Sequence, residues 1–191
     1  MGFGDAGETQ RSSEGQNILR SGGTLTPDTE SGAAAPSNIG AELIAVTHSH
    51  TAEGWIEAHP DVEFARTTLL TVGEPMRSTA PPAAVASPPS SDDGTPTVLG
   101  IDGPADLTDL GITLLKQLTE RSQSSADVVL VIEDLDAILD AVPLRRAFHF
   151  LHVLTALVRI NGVTAYYHYD DIAAQTLETI SVLFDDEPPH R

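Results

Sequence analysis

Val128-Val129-Leu130-Val131-Ile132 is an unbroken apolar run, four of its five residues β-branched, closed by Glu133-Asp134-Leu135-Asp136. A strand without polar alternation is buried on both faces, the condition of a central strand in a parallel sheet. Acids at the C-terminal end of such a strand stand where α/β sheets place ligands. After Pro143 the period changes. Leu144, Ala147, Phe148, Leu151, Leu154, Thr155 and Val158 recur at helical spacing, with Arg145, His149, His152 and Arg159 on the other side. Asn161-Gly162 is a helix-stopping pair.

The rest of the chain alternates in the same way. Asn17-Ile18-Leu19 is a short apolar beat, read as a clipped strand. Glu42 to Thr47 is a strand, followed by a short helix from Ala52 to Ala58 with Thr51 as N-cap and Pro60 beyond it. Thr67 to Val72 and Thr97 to Ile101 are further strands. A helix from about Asp106 to Arg121 carries Leu107, Leu110, Leu114 and Leu118 on one stripe. Thr164 to His168 is rich in β formers. A last helix is expected after Asp170 or Asp171, with Ile172, Thr176, Leu177, Ile180 and Leu183 inward. Strand–helix alternation predicts a three-layer α/β fold, a mainly parallel sheet with helices on both faces. Between these elements, residues 1–16 read as a disordered leader and 185–191 as a tail. Residues 74–96, rich in Pro, Ala and Ser, read as a disordered linker interrupting one domain at 17–184.

Charge narrows the habitat and the partners. Acidic residues number 28 and basic residues 10, a formal net charge of −18, and Lys116 is the only lysine. The excess is spread along the chain, which points to a proteome adapted to high salt, where self-repulsion is screened. Nucleic acid is disfavoured as a partner, since binding it requires Lys and Arg against phosphates and no basic cluster exists beyond Arg145-Arg146. No apolar run reaches the length of a membrane span, and the polar N-terminus lacks the core of a signal peptide, so a cytoplasmic protein is expected. With no cysteine, disulfide and thiolate chemistry are out.

Three segments carry a family resemblance: Gly103 to Ile112, Val129 to Leu139, and Phe148-His149-Phe150-Leu151-His152-Val153-Leu154-Thr155 running on through Tyr166-Tyr167-His168-Tyr169-Asp170. Together they resemble a haloarchaeal family related to the RecA/KaiC-type ATPases, over roughly 97–184 and more weakly over 17–72. The resemblance implies a RecA/KaiC-like frame. In an active member a glycine-rich loop follows the first strand and cradles phosphates, with a lysine and a Mg²⁺-binding Ser or Thr. Here Ser21-Gly22-Gly23-Thr24 stands in that place without the lysine, so ordinary ATP hydrolysis is not expected. Glu133 and Asp134 resemble a remnant Walker B site, where relatives often read Asp-Ser-Leu. The family usually continues into a final strand after Phe184, so an open sheet edge or a shortened chain is implied.

Each candidate site has an ordinary alternative. Glu133, Asp134 and Asp136 also suit the capping of a short helix. His48 and His50 could ligate a metal with a carboxylate, but suit a solvated loop equally. His149 and His152, spaced i and i+3, suit a polar helix face. His168 suits a hydrogen-bonded sheet-end position, and Trp55, Tyr166, Tyr167 and Tyr169 suit core and edge packing. The sequence therefore carries no catalytic residue, metal set or cofactor. It predicts a non-catalytic regulatory or scaffolding protein acting through protein contacts, with weak nucleotide binding or sensing at Glu133 and Asp134 as the alternative. A second apolar row on the long helix, Phe150, Val153 and Leu157, is either core or a surface for a partner or a second copy.

The charge makes a direct prediction. Lowering KCl from about 1 M to about 0.1 M lengthens the Debye length from about 3 Å to about 10 Å. The melting temperature should fall over that range, and a salt-independent melt contradicts the reading of high-salt adaptation.

Overall fold

The computed structural model describes residues 14–22, 40–59, 64–73 and 96–185. Most of the expected leader, the linker up to residue 95 and residues 186–191 of the tail lie outside the described residues, as do Gly23, Thr24 and Pro60. The elements run β1 (Gln16–Ser21), β2 (Glu42–Thr47), α1 (Ala52–Ala58), β3 (Arg66–Val72), β4 (Thr97–Ile101), α2 (Leu107–Arg121), β5 (Val128–Ile132), α3 (Leu135–Ala141), α4 (Leu144–Ile160), β6 (Thr164–Tyr169) and α5 (Ala174–Ser181).

Six strands form one sheet in the order β1-β6-β5-β2-β3-β4, and every pairing is parallel. The unbroken run of β5 lies between β6 and β2 and is buried at all five positions. Side chains alternate across the sheet. Ile44, Val46, Leu130 and Ile132 join α2, α3, α4 and α5 on one face, in a core with Leu110, Leu114, Leu151 and Val158. Leu43, Ala45, Leu69, Val129 and Val131 pack with Trp55 of α1 on the other. This is the expected three-layer α/β arrangement.

Two helices follow the central strand, the short α3 after the acids and the long α4, which Pro143 N-caps, both at the places read for them. Other local expectations change. Leu144, placed inward by its spacing, is exposed, and Phe148 is half-buried. Neither Asp170 nor Asp171 caps the last helix. Its N-cap is Ala173, and the Asp170 amide instead donates to the Asp136 carboxylate at 3.1 Å. The helix stop at Asn161-Gly162 is as read. Gly162 has φ +65°, a left-handed conformation that glycine adopts without a Cβ penalty, and its amide reaches the Arg159 carbonyl.

Buried polar groups pin both ends of the frame. Arg121, at the end of α2, folds back beneath the sheet. It donates to the Leu43 carbonyl at 3.1 Å and to the Thr68 hydroxyl, and its guanidinium lies 3.3 Å from Glu42. Burial holds its pKa below the ordinary arginine value, against the pull of Glu42. At the β1 edge, buried Asn17 donates to the Thr155 carbonyl at 3.1 Å and accepts from the Tyr167 hydroxyl at 3.0 Å. Burial also pushes the Tyr167 phenol up.

The expected open edge is partly closed. Asp185 does not begin a separate tail. Its amide donates to the Asn17 carbonyl at 2.8 Å, in a parallel bridge with Ile18. Its carboxylate accepts from the Asn17 amide at 2.7 Å and from Arg159 at 2.8 Å. Burial raises the Asp185 carboxyl, but these bonds and the Arg159 charge outweigh it and hold the pKa below the ordinary value.

Candidate functional site

The strand order fixes where a ligand would be sought. β2 leads through α1 to β3 on one side, whereas its neighbour β5 leads through α3 and α4 to β6 on the other. Connections diverging from two adjacent parallel strands leave a crevice at their C-terminal ends, the usual ligand position in α/β sheets. Here that point is formed by His48-Ser49-His50 after β2 and Glu133-Asp134 after β5. The register pairs Val46 with Ile132, so the two loops leave the sheet level with each other.

Asp134 fills much of this crevice from within. One carboxylate oxygen accepts the His48 amide at 2.9 Å and the Ser49 amide at 3.2 Å, and the other accepts the Ser49 hydroxyl at 2.6 Å. Successive backbone N–H groups on a carboxylate form an anion nest whose anion is supplied by the protein itself. Asp134 occupies the N-cap position of α3, yet its side chain makes no cap bond there. The capping expected of this acid serves the β2–α1 loop instead.

Glu133 turns to the opposite face of the sheet, toward α1. One of its oxygens accepts the Trp55 indole N–H at 2.5 Å and lies 3.7 Å from Nε2 of His59, whose ring stacks on Trp55 at 4.5 Å. α1 is set in place by Thr51, whose hydroxyl accepts the Gly54 amide at 3.0 Å as its spacing predicts. Asp136 accepts the Asp170 amide and so ties α3 to the end of β6.

The histidines separate. His48 is mostly buried, and both its ring nitrogens, like Oε2 of Glu133, have no hydrogen-bond partner. Burial pushes its pKa down against the pull of Asp134, which keeps the imidazole neutral at pH 7. His50 is exposed, with its amide on the Thr47 hydroxyl at 3.3 Å. His149 and His152 are exposed on α4, far along the chain from this crevice, and His152 stacks on Phe148. His168 is buried at the end of β6, with Nδ1 3.0 Å from the Gly22 carbonyl. Among the described residues no cluster of three His, Asp or Glu side chains is placed to hold a metal ion.

The phosphate-loop position lies two strand spacings, about 10 Å, from the strand that carries the acids. Ser21 and Gly22 end β1 at the sheet edge, and β6 stands between β1 and β5. The Gly22 amide is spent on the Tyr169 carbonyl at 2.8 Å. Lys116 lies on the surface of α2, 4.0 Å from Glu120. Sequence reasoning missed Ser49 and the Trp55–Glu133 pair. Their signal was the parallel register that sets the two post-strand segments side by side.

The second apolar row of α4 is divided: Phe150 and Leu157 are half-buried against the core, and Val153 is exposed. Gly111, Ile112 and Leu115 of α2 and Phe150, Val153 and Leu157 of α4 line an apolar groove of about 330 Å³. Ile112 is 61% exposed and Val153 46%. The ring of Phe150 lies over Gly111, 3.6 Å from where a Cβ would stand, an ordinary van der Waals distance.

The geometry of Asp134 sets a test. Asp134→Ala removes the acceptor of three donors and should lower unfolding free energy by about 1–2 kcal/mol in a urea titration. Acids kept for ligand binding are commonly neutral or unfavourable for stability. A variant as stable as the parent, or more so, contradicts the structural role of Asp134.

No curated protein matches the chain. Residues 26–187 match the DUF7504 family, a span that includes β2 through α5 but not β1. The chain belongs to DUF7504, a family of unknown function.

Proposed function

We propose that this protein is a non-catalytic regulatory or scaffolding module that works through protein contacts. Its frame is a degenerate RecA/KaiC-like α/β domain from the cytoplasm of a salt-adapted archaeon. The observation that carries the reading is the apolar groove between α2 and α4, bordered by exposed Ile112, Leu115 and Val153. Large exposed apolar patches on a surface otherwise rich in charge mark interaction sites. The spent acids at the crevice support the same reading. Asp134 is occupied by the β2–α1 loop, and Glu133 by Trp55. The one lysine stands on the outer surface of α2, where it cannot neutralise a phosphate held above the sheet.

One observation favours the alternative of nucleotide sensing. The unpartnered ring nitrogens of His48 and Oε2 of Glu133 sit at the C-terminal ends of β2 and β5, where α/β sheets bind ligands. A nucleotide bound there would have to displace the Ser49 hydroxyl and the loop amides from Asp134.

Calorimetric titration with Mg-ATP in molar KCl separates the two readings. Binding should be no tighter than about millimolar, near −4 kcal/mol, with no turnover. Micromolar affinity would overturn the scaffold reading in favour of the sensor.

A further inference from the structure

α1 is held to the sheet at both of its ends by the two acids that follow β5. The helix is seven residues long and buries one side chain, Trp55. At its C-terminal end, His59 has Nδ1 2.9 Å from the Trp55 carbonyl and Nε2 3.7 Å from Glu133. The Trp55 indole donates to the same carboxylate. At its N-terminal end, the His48 and Ser49 amides and the Ser49 hydroxyl all rest on Asp134. Each end thus sets a histidine beside a carboxylate, and the two ends answer a proton in opposite ways.

At the His59 end both ring nitrogens have an acceptor before them, a carbonyl and a carboxylate, which suits an imidazolium. At the His48 end both ring nitrogens are shut off from solvent and have no hydrogen-bond partner. The strand register carries the row of Ile132, Val46, Leu70 and Leu99 two residues on, to Asp134, His48, Val72 and Ile101. Val72 and Ile101 are buried and apolar. Around this row, Glu133 is turned to the opposite face, Asp136 accepts the Asp170 amide and Asp106 accepts the Asp109 amide. Asp102, after Ile101, and His50, on the loop itself, are exposed. Asp134 is the charge that acts on the His48 ring, and burial outweighs it.

We infer that the turn between β2 and α1 is a proton-operated latch: a proton on His48 draws Asp134 from the Ser49 hydroxyl and the loop amides and frees the N-terminal end of α1, while Glu133 keeps the other end on the sheet. An imidazolium brings two donors and a full charge into a site whose one charged neighbour on that row is Asp134. That carboxylate already accepts three bonds from the loop, so it meets the ring only by giving some of them up. The sign follows from burial. The unfolded chain takes up a proton at His48 near pH 6.5, and the folded chain only at lower pH. The closed latch is therefore fully stable above pH 6.5 and loses stability as the pH falls below it. A charge on His59 strengthens the Glu133 contact, so the freed end swings about Trp55 and the helix does not leave the sheet. The latch stands apart from the α2/α4 groove and from any partner it meets.

Two-dimensional NMR of the full chain in molar KCl, between about pH 7.5 and about pH 5, tests the latch. The Ser49 amide should shift along one titration curve with a midpoint below 6.5, and the His48 ring should share that midpoint. The indole N–H of Trp55, the chain's only tryptophan, should keep its neutral-pH position. His48→Gln should hold the Ser49 amide still across the range. His50→Gln, which removes the exposed neighbour, should leave the titration intact. A Ser49 amide that does not move, or that moves with a midpoint unlike that of the His48 ring, overturns the proposal. This comparison needs the wild type alone and decides the matter even where a variant fails to fold. A titration that survives in His48→Gln assigns the change to the acid itself, and one lost in His50→Gln assigns it to the exposed ring; either overturns the latch. An indole that moves together with the Ser49 amide shows α1 leaving as a whole and contradicts it too.

Discussion

A parallel sheet imposes two demands at once: both faces must be covered, and every strand must be entered by a crossover from the far end. Most of this molecule follows from meeting them. The crossovers place α2, α3 and α4 on one face and α1 on the other, and they diverge between β2 and β5. That divergence opens a crevice in the middle of the sheet. Asp134 closes it by binding the amides and hydroxyl of the β2–α1 loop, and Glu133 braces α1 through the Trp55 indole. The position that fold geometry reserves for a ligand is largely used to join two halves of the sheet.

The frame was legible because its signals are local. β2, β4 and β5 coincide with their apolar runs, and the α2 stripe of Leu107, Leu110, Leu114 and Leu118 is buried as its period requires. α3 was legible only as the short helix that the acids after β5 could cap, since seven residues before Pro143 give too few turns for a period to emerge. Groups whose meaning depends on distant partners were not legible at all. Asn17 reads as a polar residue in a weak strand, yet its partners are Thr155, Tyr167 and Asp185. Arg121 reads as an ordinary C-terminal helix cation, yet it clamps β2 and β3 from below. Glu133 and Asp134 were visible as candidates, but their bonds to Trp55 and Ser49 depend on the order of strands, which no local pattern encodes.

Electrostatics divides the surface in the same sense. The chain is strongly acidic, yet α4 carries no acid and borders the apolar groove with arginine and histidine. A charge of −18 keeps most of the surface apart from its neighbours and leaves one face where close approach costs least. On the proposed reading, a module whose crevice acids are spent on its own loop and helix meets other chains through the apolar groove between α2 and α4. The account thus assigns stability to the acids of β5 and contact to the outer row of α4.

The most direct measurement of that assignment is amide hydrogen exchange at His48 and Ser49, with and without saturating Mg-ATP. Both amides donate to Asp134, at 2.9 Å and 3.2 Å. Local openings with few stabilising contacts exchange fast, whereas bonded core positions exchange slowly. The account predicts slow exchange at both sites, unchanged by nucleotide. Fast exchange in the free protein, or protection that appears only with Mg-ATP, contradicts it and returns the crevice to a ligand.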